Sequence, residues 1–157
     1  MECDSQKIIN SANAFLLAAE RAREQRPLGS GQLQMLLVPA VVCTAFAVEL
    51  YFKGIIALEN KNARGHELSK LFERLSNESQ AILVATLQLE RPAFEQKLKA
   101  ISCLFVEWRY IFEQRSANVD FSFLEKLALE SKCVAEGLAK PAVRGTPREE
   151  AAQRNRP

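Results

Sequence analysis

The sequence predicts an all-α protein, an up-and-down bundle of about five to six helices. The chain has only six glycines and six prolines in 157 residues, too few for the many turns of a β-rich protein. Its apolar residues recur at steps of three and four over most of its length, which is the period of a helix face. A chain of this length fits one domain with a sizeable buried core.

The first predicted helix follows Asp4 or Ser5, either of which is a suitable N-cap. Alternating steps of four and three place five apolar residues on one face of it. These residues are Ile8, Ala12, Phe15, Ala19 and Ala22. Residues 27–31, with one proline and two glycines, end this helix and form a loop.

The second predicted helix begins between Leu33 and Pro39, because proline is tolerated in a first turn, and it runs to about Leu58. It is apolar on all sides, so we expect it to be the central, buried helix. Its longest apolar stretch, residues 35–48, is shorter than the roughly 20 residues that span a bilayer. This favours a core helix and predicts no association with membranes.

Four further helices are predicted, each with a start signal and an apolar stripe. The third starts at residues 65–68 and presents Leu68, Leu71, Phe72 and Leu75. The fourth, capped by Ser76 or Asn77, presents Ile82, Ala85 and Leu89. The fifth starts at Arg91-Pro92, is long, and packs on the second helix through Leu98, Ile101, Phe105, Trp108 and Phe112. The sixth, capped by Asp120, presents Leu124, Leu127, Ser131, Val134 and Leu138.

The domain boundary follows from composition and charge. Residues 1–139 are expected to form a single helical domain, and residues 140–157, which are polar and lack apolar periodicity, a disordered tail. Five basic and two acidic residues lie from Lys140 onward, so this tail has a net charge of +3. Because the whole chain has a net charge of +2, residues 1–139 have a net charge of −1. A nearly neutral domain lacks the broad basic surface of a non-specific nucleic-acid binder, and any nucleic-acid site must be local.

The cysteines predict neither a metal site nor a disulfide framework. Cys3, Cys43, Cys103 and Cys133 form no Cys-x-x-Cys pair, and no histidine is spaced to complete a zinc site. We expect reduced thiols, no metal and no cofactor. The first residues lack the pattern of a secretory signal, which favours the cytoplasm.

Glu49 and Lys53 are the only charged residues in the second helix, and they stand one helical turn apart. In a buried helix each charge needs a partner, because an unpaired buried ion costs several kcal/mol. One interpretation is an internal ion pair that fixes the helix register. The other is that the two side chains line a polar site.

Two further residues are candidates for this polar centre. His66, the only histidine, stands at the start of the third helix, where it either pins the turn or serves in binding or catalysis. Arg109 is flanked by aromatic residues and is one turn before Glu113. Its guanidinium either clamps Glu113 or Glu49, stacks on a ring, or presents a fork to a phosphate.

Three segments together resemble the HEPN family (higher eukaryotes and prokaryotes nucleotide-binding domains). They are AFAVELYFKGIIAL at residues 45–58, GHELSKLFERL at 65–75 and FVEWRYIFE at 105–113. The resemblance covers roughly residues 36–138 and implies a bundle of four to six helices that is often dimeric. Many members of that family are RNases in toxin–antitoxin, abortive-infection and CRISPR systems. Others are non-catalytic modules that pair with nucleotidyltransferases.

The chain departs from the family's nuclease motif, in which a histidine follows an arginine after four to six intervening residues. No histidine follows Arg109 at residues 114–116, and residues 59–61 before His66 are Glu-Asn-Lys. Arg64 is only two residues before His66. The usual pair for acid–base chemistry and phosphate positioning therefore cannot be assembled from that motif.

The leading hypothesis is a non-catalytic, HEPN-like module that binds a nucleotide, RNA or a protein partner, as a homodimer, in bacterial defence or stress response. Its polar centre comprises Glu49, Lys53, His66, Arg109 and Glu113. The first alternative is a divergent, metal-independent RNase in which His66 is the general acid or base and Arg109, with Lys53, stabilises the phosphorane-like charge. The second alternative is a purely structural dimeric partner protein.

Overall fold

The computed structural model describes residues 4–113 and 118–140, and in this part of the chain the protein is an all-α helical bundle. Its α-helices and two short strands, in chain order, are α1 (Ser5–Ala22), β1 (Arg26–Pro27), β2 (Leu33–Gln34), α2 (Leu37–Leu58), α3 (Leu68–Arg74), α4 (Asn77–Thr86), α5 (Arg91–Ala100), α6 (Leu104–Glu107) and α7 (Phe121–Ala139). A 3₁₀ helix (Trp108–Glu113) follows α6 directly. The all-α prediction is confirmed; the tail predicted from residue 140 lies, from residue 141 onward, outside the described residues.

Helix α2 is the centre of the bundle, as predicted. Twelve of its 22 residues are buried, and it packs against α1, α7, α3, α6 and the 3₁₀ helix. Pro39 lies in its first turn, where a backbone N–H has no acceptor within the helix. The N–H that proline lacks therefore costs the helix no hydrogen bond. The helix is long and apolar enough to cross a membrane, with a mean hydropathy of 1.8, but 61% of that window is buried inside the protein. Packing in the core accounts for most of its apolar surface.

Three of the five residues predicted for the core face of α1 are buried, and the other two predictions are wrong by one position each. The buried residues are Ile9, Ala12, Leu16, Ala19 and Ala22, so Ile9 and Leu16 take the places expected for Ile8 and Phe15. The reason is the close approach of α1 to α2, where Ile9 packs against the backbone of Gly54. Phe15 lies at the margin, where its ring meets the Phe46 ring edge-on at 4.5 Å.

The loop predicted at residues 27–31 is the turn of a minimal hairpin. Strands β1 and β2 pair antiparallel, with Arg26 opposite Gln34 and Pro27 opposite Leu33. The Leu36 N–H then donates to the carbonyl of Ala22 at 3.1 Å, which ties the start of α2 to the end of α1. Two residues per strand are too few for a sequence pattern of period two to be recognised.

The long fifth helix that the stripe predicted is broken. Helix α5 ends at Ala100, residues 101–103 form a turn, and α6 and the 3₁₀ helix follow. Ser102 is withdrawn from the helix to cap α3: its carbonyl accepts from the Leu68 N–H at 3.1 Å and its Oγ from the Ser69 N–H at 3.0 Å. These bonds satisfy amide groups that every helix start leaves unpaired. The predicted packing on α2 is nevertheless confirmed for α6 and the 3₁₀ helix.

The inner faces of α4 and α7 also differ from prediction. In α4 the buried residues are Ser79, Gln80 and Leu83, whereas Ile82 is exposed. Glu59 causes this, because it accepts hydrogen bonds from the Ser76 N–H and the Ser79 hydroxyl, both at 2.8 Å, and so turns the polar side inward. In α7 the predicted stripe is confirmed except for Leu138, which is 48% exposed near the helix end.

Asp120 caps α7, as predicted, and this cap has a measurable consequence. Its Oδ1 accepts from the Phe123 N–H at 3.0 Å and its Oδ2 from Lys97 Nζ at 2.6 Å. These bonds, the one from Lys97 first, hold the pKa of the Asp120 carboxyl below its ordinary value. A depressed pKa stabilises the fold above the unfolded value of 3.8, and that stability is lost as the pH falls through the folded pKa.

We expect Asp120→Ala to lower the free energy of unfolding by about 1 kcal/mol at pH 7, the usual cost of a lost N-cap. The difference from the wild type should shrink as the pH is lowered below about 4, because the wild-type carboxylate is then protonated as well. Urea unfolding at pH 7 and pH 3 measures both values. Equal differences at the two pH values would contradict the role of the charged cap.

Candidate functional site

A buried carboxylate, Glu49 on α2, organises the candidate site. Its side chain has no solvent exposure, and its Oε1 accepts hydrogen bonds from Lys53 Nζ at 2.7 Å and from His66 Nδ1 at 2.9 Å. Lys53 is one turn further along the same helix and its side chain is 20% exposed, whereas the His66 side chain is 58% exposed. The three residues thus form a chain of polar groups that leads from the core to the surface.

The connection between α2 and α3 brings His66 back to Glu49. It comprises residues 59–67 and includes Gly65 at φ +93°, a left-handed conformation in which glycine has no side chain to strain. Glu67 is the N-cap of α3 but makes no capping bond with its side chain. His66 therefore lies immediately before α3 rather than inside it, and its ring is held by Glu49.

The bond to Glu49 determines which nitrogen of His66 faces solvent. A carboxylate only accepts hydrogen bonds, so Nδ1 carries the proton that it donates to Glu49. In the neutral ring, Nε2 is then the acceptor at the exposed end. The arrangement resembles the support that carboxylates give to metal-binding and catalytic histidines, where the partner fixes the tautomer and the ring orientation.

Arg109 reaches the same region through an aromatic ring. Its guanidinium lies 4.5 Å from the centroid of Phe105, one turn earlier in the chain, and 5.8 Å from that of Tyr110. The centroid of the His66 ring is 6.1 Å from that of Phe105. Phe105 in turn stacks on Phe46 of α2 at 4.3 Å, nearly parallel at 13°. One ring therefore links Arg109, His66 and the central helix.

The predicted polar centre is thus assembled in part. Glu49, Lys53 and His66 meet directly, and Arg109 joins them through Phe105. The predicted clamp of Arg109 on Glu49 is absent from the ion pairs of residues 4–113 and 118–140. The position of the Glu113 side chain lies outside the described residues, so its pairing with Arg109 stays a prediction.

Phe105 is a site residue that the sequence does not single out. Its place in the apolar stripe of the fifth helix predicts a core position, and in the structure it is half-buried against Phe46. Its spacing of four residues from Arg109 was the available signal, since residues one turn apart on a helix contact each other.

Glu49 Oε2 is a buried oxygen without a hydrogen-bond partner; the Ser131 hydroxyl is the other buried side-chain atom in the described residues of which this is true. Most buried polar atoms in proteins are paired, so this unpaired carboxylate oxygen is an exception to the usual pattern. The oxygen belongs to a carboxylate whose other oxygen already accepts two bonds. Both donors to the Glu49 carboxylate, Lys53 and His66, therefore contact the same oxygen, Oε1, and Oε2 has none.

Metal binding and thiol chemistry have little support elsewhere in the described chain. No group of three or more metal-ligating side chains occurs in residues 4–113 and 118–140. Cys43, Cys103 and Cys133 are free thiols, and desolvation raises the pKa of the Cys43 and Cys103 thiols above the ordinary value. A raised pKa lowers the fraction of reactive thiolate at neutral pH. Cys3 lies outside the described residues.

Comparison of the chain with protein-family models, with curated proteins and with solved structures found no match. The resemblance to the HEPN family therefore stays a prediction based on the three segments of the sequence.

Proposed function

We propose that the protein is a non-catalytic, HEPN-like binding module whose surface site takes the phosphate group of a nucleotide or of RNA. The observation that carries this proposal is the placement of His66 and Arg109 against the same ring, Phe105, with His66 fixed by the buried Glu49. The exposed arginine presents N–H donors to solvent, and the half-exposed histidine beside it adds one at Nε2 when its ring carries both protons. The context of bacterial defence or stress rests on the resemblance alone.

The geometry favours an anionic group over a nucleobase as the part of the ligand that is recognised here. Phe105 has Phe46 stacked on it at 4.3 Å and the Arg109 guanidinium over it at 4.5 Å, so both faces of the ring are covered. No free aromatic face remains on Phe105 for a base to stack on. The guanidinium is a planar fork that matches phosphate oxygens, and its stacking on Phe105 holds it in place.

The local charge also favours an anionic group as the part of the ligand that is recognised. Lys53 compensates Glu49 at 2.7 Å, which leaves Arg109 as the cation whose partner in the described residues is a ring rather than a carboxylate. The domain as a whole is nearly neutral, so this site would act locally and not as part of a broad basic surface. We therefore expect weak binding that depends moderately on salt, with few phosphates contacted.

Binding of a fluorescein-labelled single-stranded RNA, and of ADP as a small ligand, tests the proposal. Arg109→Gln should weaken binding about tenfold or more, as expected for a lost charged hydrogen bond. Lys126→Gln is the matched control, because it removes the same charge from an exposed position on α7. The single tryptophan, Trp108, is adjacent to Arg109 and gives a second, local readout by fluorescence.

Equal weakening by Arg109→Gln and Lys126→Gln would contradict the site, because a general charge effect would then explain the binding. No binding of either probe to the wild type, in a folded sample, would contradict the proposed ligand class and favour the purely structural alternative. In that alternative His66→Ala and Arg109→Ala lower stability by about 1–3 kcal/mol and change nothing else.

One observation favours the RNase as a second candidate. His66 Nδ1 donates to Glu49, which leaves Nε2 at the exposed end as a base for a substrate hydroxyl, with Arg109 next to the developing negative charge. The chain has no second histidine to act as the acid. Cleavage of labelled single-stranded and transfer RNA by the wild type without metal, and its loss in His66→Ala, would establish this activity in place of the binding module.

A further inference from the structure

An apolar groove lies between α4 and α7, on residues that the candidate site does not use. Its volume is about 310 Å³, and Ile82 of α4 and Leu138 of α7 are among the side chains that line it. These two side chains are 41% and 48% exposed, although large aliphatic residues are usually buried. The described part of the chain therefore leaves this surface uncovered. We call it the α4–α7 groove.

Gly137 widens this groove. It lines the groove from within α7, and a Cβ atom on it would meet no atom within 4 Å. Glycine is less favourable than alanine inside a helix, yet no contact within residues 4–113 and 118–140 requires the missing side chain. The missing side chain leaves room next to Leu138 for the side chain of an occupant.

The charges that line the groove have one sign. Glu78 of α4 and Glu130 of α7 line it, and no cation of the described residues does. Neither carboxylate forms an ion pair within the described ranges. The helix dipole stabilises Glu78 in the first turn of α4, but Glu130 lies in the middle of α7, where that effect is absent. The groove therefore suits a segment in which cations flank an apolar side chain.

Residues 141–148 of this chain, Pro-Ala-Val-Arg-Gly-Thr-Pro-Arg, have that composition. Val143 is their largest apolar side chain, Arg144 and Arg148 are cations, and none of the eight residues is acidic. The apolar periodicity of a helix is absent from them, so the sequence predicts no fold of their own. A segment of this kind becomes ordered only against another surface.

This segment also begins beside the groove. Leu138 lines the groove, and α7 ends at Ala139, one residue later. Lys140 is extended, with φ −70° and ψ 126°, as expected for a residue before a proline. The chain therefore leaves the path of α7 next to the groove.

We infer that residues 141–148 bind back into the α4–α7 groove. Val143 then packs on its apolar lining, and Arg144 pairs with Glu130. The length of the segment permits this, because Glu130 is ten residues before Lys140, about 15 Å along α7. The four residues after Lys140 span about 13 Å when extended, and the arginine side chain covers the remaining distance. The inference does not depend on the proposed phosphate site.

The covalent connection favours this segment over a segment of another protein. A short flexible linker gives a tethered segment an effective concentration of about 1 mM. An affinity of only about 0.1 mM then closes the groove in about nine of ten molecules. A separate partner at micromolar concentration needs a far higher affinity to fill the same small groove.

Alkylation of Cys133 tests the inference in the full chain. Cys133 lines the groove and is exposed, so bound residues 141–148 would cover it. Iodoacetamide is added to the native protein, and mass spectrometry gives the rate of alkylation at each cysteine. Val143→Asp and Arg144→Glu should each raise the rate at Cys133 about fivefold or more, because the groove is then open in most molecules.

The controls separate uncovering from effects of charge and of unfolding. Both substitutions bring negative charge towards the thiol, which disfavours the thiolate and slows alkylation, so a faster rate reports uncovering. Arg154→Glu is the matched charge reversal beyond residue 148 and should leave the rate unchanged. Cys43 and Cys103 do not line the groove, and their rates should be the same in every variant.

A substitution in the groove itself tests the other side of the contact. Ile82→Glu should raise the rate at Cys133 as the two substitutions in residues 141–148 do. Leu129→Glu is its matched control, because Leu129 is 50% exposed on α7 but does not line the groove, and it should leave the rate unchanged. Circular dichroism shows whether each variant is folded.

An equal rate at Cys133 in the wild type, Val143→Asp and Ile82→Glu would overturn the inference. A fast rate in all three would show an open groove, and a slow rate in all three an occupant other than residues 141–148. A wild-type rate that rises when the protein is diluted would also overturn it, because binding within one chain does not depend on concentration. The occupant would then be a second molecule.

Discussion

Replacing Lys53 by methionine is expected to lower the free energy of unfolding by about 3–5 kcal/mol at neutral pH. The substitution keeps an unbranched apolar stem and removes the cation that lies 2.7 Å from Glu49 Oε1. Glu49 is then a fully buried carboxylate whose remaining partner is the half-exposed His66. Breaking a buried pair by removing one partner costs several kcal/mol because the other charge stays uncompensated.

The double variant Glu49→Leu/Lys53→Met separates this effect from a loss of packing. Replacing both members of a buried pair by apolar residues is often neutral, so the double variant should recover to within about 1 kcal/mol of the wild type. Chemical unfolding of the wild type, the two single variants and the double variant completes the cycle. A double variant as unstable as the sum of the two single variants would show that Glu49 and Lys53 do not interact.

The second large effect is expected at Gly54, where α1 and α2 are closest. A Cβ atom on Gly54 would lie 2.8 Å from Ile9 Cγ1, closer than such atoms approach in proteins. Ile9 is 1% exposed, so its side chain has no free space to move into. We expect Gly54→Ala to destabilise the protein by about 1–3 kcal/mol, the usual cost of overpacking, despite the better helix propensity of alanine.

Gly137 on α7 is the control for this prediction. It is also a helical glycine, but a Cβ there would meet no atom within 4 Å. Gly137→Ala is therefore expected to stabilise the protein by about 0.5–1 kcal/mol through helix propensity and the lower entropy of the unfolded chain. Thermal unfolding measures both variants. Changes of the same sign in the two would contradict the tight contact between Ile9 and Gly54.

The central features of the fold were predictable because they depend on local patterns. Helix α2 is apolar on all sides and has proline only in its first turn, which predicts both its burial and its start. Glu49 and Lys53 were expected to interact because their spacing on one helix fixes their proximity. His66 was a candidate because it is the only histidine, but its bond to Glu49 depends on the path of residues 59–67.

Other features depend on contacts between residues distant in sequence, which no local pattern reveals. The apolar stripe predicts a helix that continues through Ser102. Ser102 instead leaves the helix, because its carbonyl and hydroxyl oxygens accept hydrogen bonds from the backbone N–H groups of Leu68 and Ser69 at the start of α3. Likewise Glu59 turns the polar side of α4 inward, so the period of its apolar residues predicted the wrong face. In both cases hydrogen bonds at a helix start outweigh the apolar pattern.

We propose that Glu49 holds His66 at a phosphate-binding surface beside Arg109. Nitrogen-15 NMR measures this arrangement, because the chain has one histidine and the imidazole signals need no assignment. We expect an Nδ1–H tautomer for the neutral ring, lost in Glu49→Leu, which removes the acceptor, and shifts of these signals when RNA is added to the wild type. An Nε2–H tautomer, or RNA binding that leaves the His66 signals unchanged, would contradict this proposal.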